Sequence, residues 1–391
     1  MGYYSEYINK SLSFETLQKL RKQQLEKIAN IRGRKNLVYA SDLTKARLPI
    51  SIDYSDLLPF QDQISFVETK DIDVIIETPG GIGTIVEDLV TMLRNKYQSV
   101  GVIIPGTAKS AGTIFTMAGD EIWMSPNSSL GPIDAQIQTT NGKQYSADAL
   151  LDGLNNIKQE VVNTGKLNPT YIPMLQNLSP GEIEHCRNAQ AFSRDLVTKW
   201  LKTYKFKFWD HHSDKSPVTE DDKEKRANSI ASKLCKHSDW LSHGKSIHLS
   251  DLRGMKLKVD DYTEIPELKE AIERYYALLR ITFSMTNTFK IYETIDSQIY
   301  VADNPIPVPS QANTSEGNRN DLDRITANIV CPSCKKELKV QMDFKPSLPV
   351  IPEHIKYPAN DMLACPSCSA QINIAKLRLQ IESQFKKNVL R

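Results

Sequence analysis

A serine and a pair of glycines, thirty positions apart, have the surroundings of an acyl-transfer site. Ser110 lies between an apolar run at residues 100–104 and a helical pattern that begins at Ala111. Gly80 and Gly81 follow another apolar run. A serine at the start of a helix can use the free N–H groups of the first turn, and a Gly-Gly turn can present further N–H groups to an oxyanion. These residue types suggest that Ser110 is a nucleophile.

Ser110 also has a simpler interpretation. A serine followed by Ala-Gly is an ordinary helix N-cap, because its hydroxyl accepts a hydrogen bond from the first turn. A serine hydroxyl is a poor nucleophile until a base removes its proton. The serine and the glycine turn alone therefore leave catalysis and capping both open.

Short apolar runs alternate with helical patterns between about residues 35 and 135. The candidate strands are residues 37–39, 74–76, 100–104 and 121–124, and the helical stretches between them are 87–95 and 111–118. This alternation predicts parallel strands joined by crossover helices. Longer helices are predicted at 13–30, 145–162, 179–204 and 264–283, and the highly charged residues 205–229 are predicted to be an exposed excursion.

The length of 391 residues predicts more than one domain. We expect an N-terminal helical segment at 1–34, a main domain at 35–300, a linker at 301–322 and a cysteine-containing module at 323–391. The linker is predicted from a stretch rich in Pro, Asn, Ser and Gln.

The overall charge is nearly balanced, at +2, and 40% of the residues are hydrophobic. No stretch approaches the roughly 20 apolar residues of a membrane span, and the N-terminus lacks the apolar core of a signal peptide. We therefore expect a cytoplasmic protein without a membrane span. Nucleic acid is an unlikely partner, because the basic residues near the C-terminus are accompanied by Glu382 and by few aromatic side chains.

Four of the six cysteines form two C-x-x-C motifs separated by 30 residues, Cys331 with Cys334 and Cys365 with Cys368. In a reducing compartment, paired motifs of this kind favour a metal over disulfides. Two such turns can direct four thiolates at one ion, which predicts a structural Zn²⁺ site in a zinc ribbon. Iron in the same ligand set is the alternative. Ribbon strands are predicted at 338–342 and 361–364, with an extended excursion at 345–358 between them.

Four segments occur in order around the serine: ETPGG at 77–81, PGTAKSAGT at 105–113, AGDEI at 118–122 and SLGPID at 129–134. This pattern resembles the Clp-fold serine peptidases related to signal peptide peptidase A, and most closely the serine dehydrogenase proteinase family. The resemblance covers roughly residues 20–262. It implies an α/β fold of the ClpP/crotonase type, a spiral of β-β-α units, and a homo-oligomer. It also implies that Ser110 is the nucleophile and that Gly80 and Gly81 contribute to the oxyanion hole.

The sequence does not identify the general base. In the ClpP branch of the Clp-fold peptidases, a histidine follows soon after the serine. This chain has Asp134 in that place, a residue that could orient a base or cap a segment. The other branch has a lysine further on, where Lys158 and Lys166 lie. His243, with His237 upstream, is a further candidate, because histidine suits general-base chemistry near neutral pH. The catalytic prediction is therefore Ser110 with His243 or Lys166.

Two function classes follow. The first is a soluble serine peptidase that cleaves a peptide or protein substrate through an acyl-enzyme on Ser110, with the zinc ribbon in recognition or regulation. The second is a catalytically inactive scaffold or binding module that retains the fold without a competent base. An acyl-CoA enzyme is a lesser alternative, because the crotonase fold is shared.

Overall fold

The computed structural model describes residues 2–138, 144–303 and 323–390. Their contacts divide the chain into two compact units. The serine unit comprises Arg32–Lys269 and Tyr292–Ile299, and the cysteine unit comprises Met1–Ile31, Glu270–Ile291 and Tyr300–Arg391. Residues 304–322, which make up most of the predicted linker, lie outside the described residues. The predicted domain boundaries stay predictions.

The elements are numbered in chain order. The strands are β1 Lys35–Ser41, β2 Asp71–Glu77, β3 Ser99–Ile104, β4 Thr107–Ala108, β5 Glu121–Met124, β6 Ser129–Leu130, β7 Gln136–Gln138, β8 Gln144–Ser146, β9 Asp260–Asp261, β10 Thr288–Glu293, β11 Gln298–Ala302, β12 Arg324–Val330, β13 Glu337–Asp343, β14 His354–Lys356, β15 Met362–Ala364 and β16 Gln371–Asn373. The helices are α1 Tyr3–Ile8, α2 Phe14–Arg32, α3 Leu57–Ser65, α4 Gly83–Lys96, α5 Ala111–Thr116, α6 Ala147–Thr164, α7 Ile172–Gln176, α8 Pro180–Trp200, α9 Glu220–Cys235, α10 His237–Trp240, α11 Leu249–Gly254, α12 Pro266–Met285 and α13 Ala375–Phe385.

Five parallel strands of the serine unit lie side by side in the order β1-β2-β3-β5-β9. The side chains of β1, β2 and β3 are buried almost without interruption after the first residue of each strand. Continuous apolar runs are typical of parallel strands that are covered on both faces, which is why these strands could be located from the sequence. The strands and crossover helices confirm the predicted mixed α/β class.

The carboxyl ends of β2 and β3 are joined beyond the sheet. The N–H of Thr78 donates to the carbonyl of Thr107 at 2.9 Å, and the N–H of Lys109 donates to the carbonyl of Thr78 at 3.1 Å. These backbone hydrogen bonds bring the turn after β2 against the turn before α5. The glycine pair and the serine, thirty positions apart in the sequence, therefore belong to one edge of the sheet.

The charged region at 205–229 differs from its prediction in its second half. Residues from Glu220 onward form helix α9, which begins at a capping box made by Thr219 and Asp222. One face of α9 is buried through Ala227 and Ile230. Three of the charged residues in this region, Glu220, Asp221 and Asp222, form the first turn of the helix, where negative charge is favourable. The prediction of an excursion was therefore wrong for residues 220–229.

The cysteine unit contains two small sheets, β12-β13-β14 and β15-β16. Strands β13 and β15 match the predicted ribbon strands closely. The predicted excursion at 345–358 contains strand β14, which pairs in parallel with β13 through three residues. The two C-x-x-C motifs lie in the turns after β12 and β15.

A buried ionic network connects the helices of this unit. The guanidinium of Arg378, on α13, donates to both carboxylate oxygens of Asp361 at 2.8 and 3.1 Å. It also donates to Glu382 at 3.0 Å and to the carbonyl of Leu12 at 2.9 Å. Glu382 in turn accepts the N–H of Phe14, the first residue of α2, at 2.9 Å. The Arg378 side chain is fully buried, so this residue, one of the basic residues near the C-terminus, is not part of a basic surface.

None of the described helices is both long enough and apolar enough to cross a membrane.

We predict that Arg378→Met lowers the free energy of unfolding by about 3 kcal/mol, because it leaves two buried carboxylates without their counter-charge. Burial raises the pKa of Asp361, but the hydrogen bond and charge of Arg378 outweigh burial and leave that pKa below its ordinary value. The stabilisation is therefore present above about pH 4 and declines as the pH falls below it. Urea unfolding at pH 7 and pH 3 measures both effects. Arg187→Met, which removes an exposed ion pair with Glu184, is the matched control and should change stability by less than about 0.5 kcal/mol. An equal effect of the two variants would contradict the prediction.

Candidate active site and metal centre

Ser110 occupies a strained turn at the start of α5. Its backbone has φ 48° and ψ −116°, a conformation that residues with a side chain rarely adopt. Its side chain makes no capping hydrogen bond, so the simpler interpretation of Ser110 as a helix N-cap is not what the structure shows. The residue is half-buried. Strain of this kind costs about 1–3 kcal/mol and is concentrated at functional sites.

Gly80 and Gly81 allow the turn after β2 to approach Ser110. Both have positive φ, at 107° and 149°. A Cβ on Gly80 would lie only 2.7 Å from the Ser110 Cβ, and one on Gly81 would lie 2.2 Å from the carbonyl oxygen of Ile52. Both positions therefore exclude side chains. The structure brings Gly80 into contact with the serine turn, whereas Gly81, the next residue, lies against the backbone of Ile52.

The N–H groups around the serine have different partners. The N–H of Gly80 donates to the Thr78 hydroxyl at 3.2 Å. Within the described part of the chain, no acceptor is assigned to the N–H of Gly81 or of Ala111. The Ala111 nitrogen lies 3.2 Å from the position that a Cβ on Gly80 would occupy, so it belongs to the same small space. Ala111 was not among the predicted site residues, although its place directly after Ser110 at a helix start could have indicated it.

Asp134 lies between two histidines. Its Oδ1 is 2.7 Å from Nδ1 of His243, and its Oδ2 is 2.9 Å from Nδ1 of His237. The Asp134 side chain is fully buried, whereas both histidines are partly exposed. The carboxylate therefore orients two imidazoles through the same ring atom and leaves the Nε2 atom of each on the far side of its ring.

The charge state of Asp134 follows from these contacts. Burial raises the pKa of its carboxyl, but the hydrogen bond and the charge of His243 outweigh burial and hold the pKa below its ordinary value. Asp134 is therefore ionised at neutral pH and accepts hydrogen bonds. Of the two alternatives left open by the sequence, orienting a base describes this geometry better than capping a segment.

His243 lies in the segment that approaches the serine turn. Lys109, directly before Ser110, donates to the carbonyl of Lys245 at 3.0 Å. Ile247, four residues after His243, forms an antiparallel bridge with Leu130. His237 is at the other end of this region, in α10, where its N–H donates to Asp148 at 2.7 Å. His243 is therefore the histidine whose own segment touches the neighbours of Ser110.

The two predicted lysines are placed elsewhere. Lys158 is exposed on α6, and Lys166 is exposed in the turn that follows it. The hydrogen bonds of that turn, between Thr164 and the backbone of Lys166, are local. The structure brings Asp134, His243 and His237 together and does not bring Lys158 or Lys166 to them.

The four predicted metal ligands form one cluster. The sulfur atoms of Cys331, Cys334, Cys365 and Cys368 all lie within 4.8 Å of one another. Two of the Sγ–Sγ distances are 3.6 and 3.7 Å, between Cys331 and Cys368 and between Cys334 and Cys365. Tetrahedral coordination with metal–sulfur distances of about 2.3 Å requires sulfur separations of about 3.8 Å. The donor set therefore fits a metal ion.

The backbone of the turns favours the thiolate form of Cys331 and Cys365. For Cys368, the backbone hydrogen bond of Ala370 is outweighed by burial and by the other three thiols, which raise its pKa to about 12. The backbone N–H of Cys334 is the main cause that lowers the pKa of Cys331 to about 6. The backbone N–H of Ser367 acts against burial in the same way and lowers the pKa of Cys365. Thiolate is the form of cysteine that binds metals.

The central part of the chain matches a known protein family. Residues 50–167 match the model of the ClpP-like SDH-type serine proteinases. This range includes the glycine turn, Ser110 and Asp134 but ends before His243. The match confirms the resemblance and the fold class that were predicted from the motifs around Ser110.

Two curated relatives and two solved structures are also similar. Two uncharacterized proteins of Methanocaldococcus jannaschii are 39% and 40% identical to this chain over 85 and 82 residues, which are 22% and 21% of it. The chain matches only 27% of the length of each. A mutant of the 1510-N membrane-bound stomatin-specific protease is 14% identical, with a TM-score of 0.33, over 56% of this chain and 79% of that one. ClpP1 from Listeria monocytogenes is 12% identical, with a TM-score of 0.32, over 60% and 94%.

Because the backbone of Ser110 is strained, we predict that this residue lowers the free energy of unfolding of the protein. Ser110→Gly should be more stable than Ser110→Ala by about 1 kcal/mol, because glycine removes the strain and loses part of that gain to its greater freedom in the unfolded chain. Thermal and urea unfolding of the two variants measure this difference. Ser232, exposed within α9, is the matched control, where alanine should be the more stable by about 1 kcal/mol. Alanine more stable than glycine at both positions would contradict the prediction.

Proposed function

We propose that the chain, which contains a ClpP-like SDH-type serine proteinase region at residues 50–167, is a serine peptidase with Ser110 as its nucleophile. His243 is the general base and Asp134 its orienting carboxylate. The observation that supports this assignment most directly is the 2.7 Å contact between His243 Nδ1 and buried Asp134. A base that is itself oriented by a third group is the arrangement that activates a serine hydroxyl.

The reaction follows from the roles of these atoms. The Asp134 carboxylate accepts a hydrogen bond from the Nδ1–H of His243 and stays ionised, which leaves the Nε2 lone pair to take the proton of Ser110 Oγ. Oγ forms a bond to the carbonyl carbon of the peptide, and the electron pair of the C=O bond moves to oxygen. Collapse of this intermediate breaks the C–N bond, and the imidazolium donates its proton to the leaving amine. A water molecule then gives a proton to the same Nε2 while its oxygen forms a bond to the acyl carbon. The C–Oγ bond breaks, the acid product leaves, and the imidazolium returns its proton to Ser110 Oγ.

The oxyanion of the intermediate needs N–H donors that are not otherwise engaged. We assign this role to the N–H groups of Gly81 and Ala111, with Gly80 permitting the close approach. The N–H of Gly80 already donates to Thr78, which makes it the weaker donor to the intermediate. Donors fixed in place before the reaction stabilise the developing charge without reorganisation.

The order of the three residues in the chain is serine, aspartate, histidine. Asp134 occupies the place after the serine where one branch of the Clp-fold peptidases has its histidine, and the histidine of this chain comes later in the sequence. Asp134 and His243 are far apart in the sequence, but their carboxylate and imidazole make the hydrogen bond that an acid and a base make in a serine triad. A peptide or protein substrate, a homo-oligomer and a cytoplasmic location remain predictions from the sequence.

We predict that a fluorophosphonate probe labels the wild-type protein and does not label Ser110→Ala. His243→Ala and Asp134→Asn should slow labelling at least about 100-fold, because the base or its orientation is lost. His237→Ala is the matched control, since it removes the other imidazole from the same carboxylate, and should change the rate less than about 5-fold. Mass spectrometry of the intact protein measures the rate.

The controls separate the possible outcomes. Equal labelling of wild type and Ser110→Ala would exclude Ser110 as the nucleophile. A larger loss for His237→Ala than for His243→Ala would assign the base to His237. A folded wild type that does not react at all would support the inactive scaffold.

The cysteine cluster is proposed to hold zinc. Bound zinc would supply structural cross-linking of the two turns through the four thiolates, which suits a module with a small core. We predict about one zinc per protomer in the purified chain, and its loss in Cys365→Ser. Elemental analysis measures the ratio. Cys186→Ser, at a buried cysteine outside the cluster, should retain the metal. A folded wild type without metal, or with iron instead of zinc, would contradict this assignment.

A further inference from the structure

Lys109, the residue directly before Ser110, is tied to two other segments of the serine unit. Its Nζ donates to the carbonyl of Leu130 at 2.9 Å, to the carbonyl of Lys245 at 3.0 Å and to the hydroxyl of Ser246 at 2.9 Å. Leu130 precedes Asp134 by four residues, and Lys245 follows His243 by two. One side chain therefore connects the turn of the nucleophile with the segments of the acid and the base.

The surroundings of Lys109 hold its side chain in place. A Cβ on Gly131 would lie 2.7 Å from the Lys109 Cδ and 3.4 Å from its Cα, so glycine at this position makes room for the lysine stem. Leu130 and Ile247 are joined by two backbone hydrogen bonds, of 2.9 and 3.0 Å, next to the atoms that the ammonium binds. The two segments pair at this single bridge, and the lysine ammonium binds the carbonyl of Leu130 beside it.

The same contacts exclude Lys109 as the base. An ammonium group has three donor hydrogens and no acceptor, and Lys109 has three oxygen partners. Burial lowers the pKa of Lys109 to about 8, so the group is still mainly a cation at neutral pH. With all three hydrogens engaged away from Ser110, the role that remains for Lys109 is to hold the segments together.

We propose that Lys109 is a positioning residue that fixes the segment 243–247, and through it the His243 imidazole, relative to Ser110. This inference rests on the proposed function of the same site. Without the ammonium, two backbone carbonyls and one hydroxyl lose a charged donor. The segment that contains His243 then keeps its bridge to Leu130 and the hydrogen bond of His243 to Asp134, but loses its direct connection to the residue before Ser110. A displacement of about 1 Å in a catalytic group can cost about 100-fold in rate.

The first measurement is hydrogen–deuterium exchange, which does not depend on catalysis. In Lys109→Met, amides of residues 243–247 should exchange at least about 10-fold faster than in the wild type, because local opening of this segment becomes easier. Ser246→Ala removes one of the three partners and should have a smaller effect in the same segment. Unchanged exchange in both variants would overturn the proposal.

The second measurement is the saturation kinetics of the fluorophosphonate probe. Lys109→Met should lower the rate constant of serine modification about 10- to 100-fold, with the dissociation constant of the initial complex changed less than about 2-fold. In the His243→Ala background, Lys109→Met should have no further effect greater than about 2-fold, because the lysine acts through the histidine. Effects that multiply in the double variant would show that Lys109 acts independently of His243 and would overturn the proposal.

A matched control separates positioning from general stability. Lys205, in the same unit, is a second lysine whose pKa burial lowers to about 8, and its Nζ donates to the carbonyl of Asp120 at 3.1 Å. Lys205→Met should leave both the labelling rate and the exchange of residues 243–247 unchanged. An equal effect of the two lysine variants would overturn the proposal. If the wild type does not react with the probe, the proposed function fails, whereas the exchange measurement still decides whether Lys109 fixes the segment.

Discussion

The constraint on which the site depends is the backbone conformation of Ser110. A residue with a side chain at φ 48° and ψ −116° is tolerated only where its surroundings determine it. Here the surroundings are the glycine turn after β2, which lies against the Ser110 Cβ, and the hydrogen bonds between Thr78 and the segment before the serine. This conformation begins α5 with a serine whose hydroxyl makes no capping bond. The strained turn thereby distinguishes Ser110 from an ordinary N-cap serine.

The second part of the site depends on one buried carboxylate. Asp134 holds two histidines by the same ring nitrogen, and the helix α9 that precedes them is anchored to the sheet region by a hydrogen bond from the Ile133 N–H to the Leu234 carbonyl, 2.9 Å long. The carboxylate can remain ionised while buried because it has several donors. The histidines gain fixed orientations, and only one of them lies in the segment that reaches the serine turn.

In the cysteine unit, too, local motifs depend on partners that are distant in the sequence. Its two C-x-x-C turns are close in space because β12, β13 and the hairpin β15-β16 bring them together. The buried Arg378 then joins the ribbon region to the start of α2, through Glu382 and the Phe14 N–H. A charge buried this completely is stable only with its partners, so the N-terminal helix belongs to the folding of this unit.

The sequence by itself determined the features that depend on local pattern. Apolar runs located strands β1, β2, β3 and β5, motifs identified Ser110 and the glycine turn, and Cys spacing identified the four cysteines that cluster in space. The tertiary structure alone decided which residues meet. Asp134 and His243 are separated by more than a hundred positions, and no periodicity relates them. Local composition also gave an exposed excursion where the first part of α9 lies, because a capping box and a buried face, rather than the density of charge, determine this helix. Contacts between side chains that are distant in the sequence depend on how whole helices and strands pack. Local patterns in a single sequence do not determine that packing.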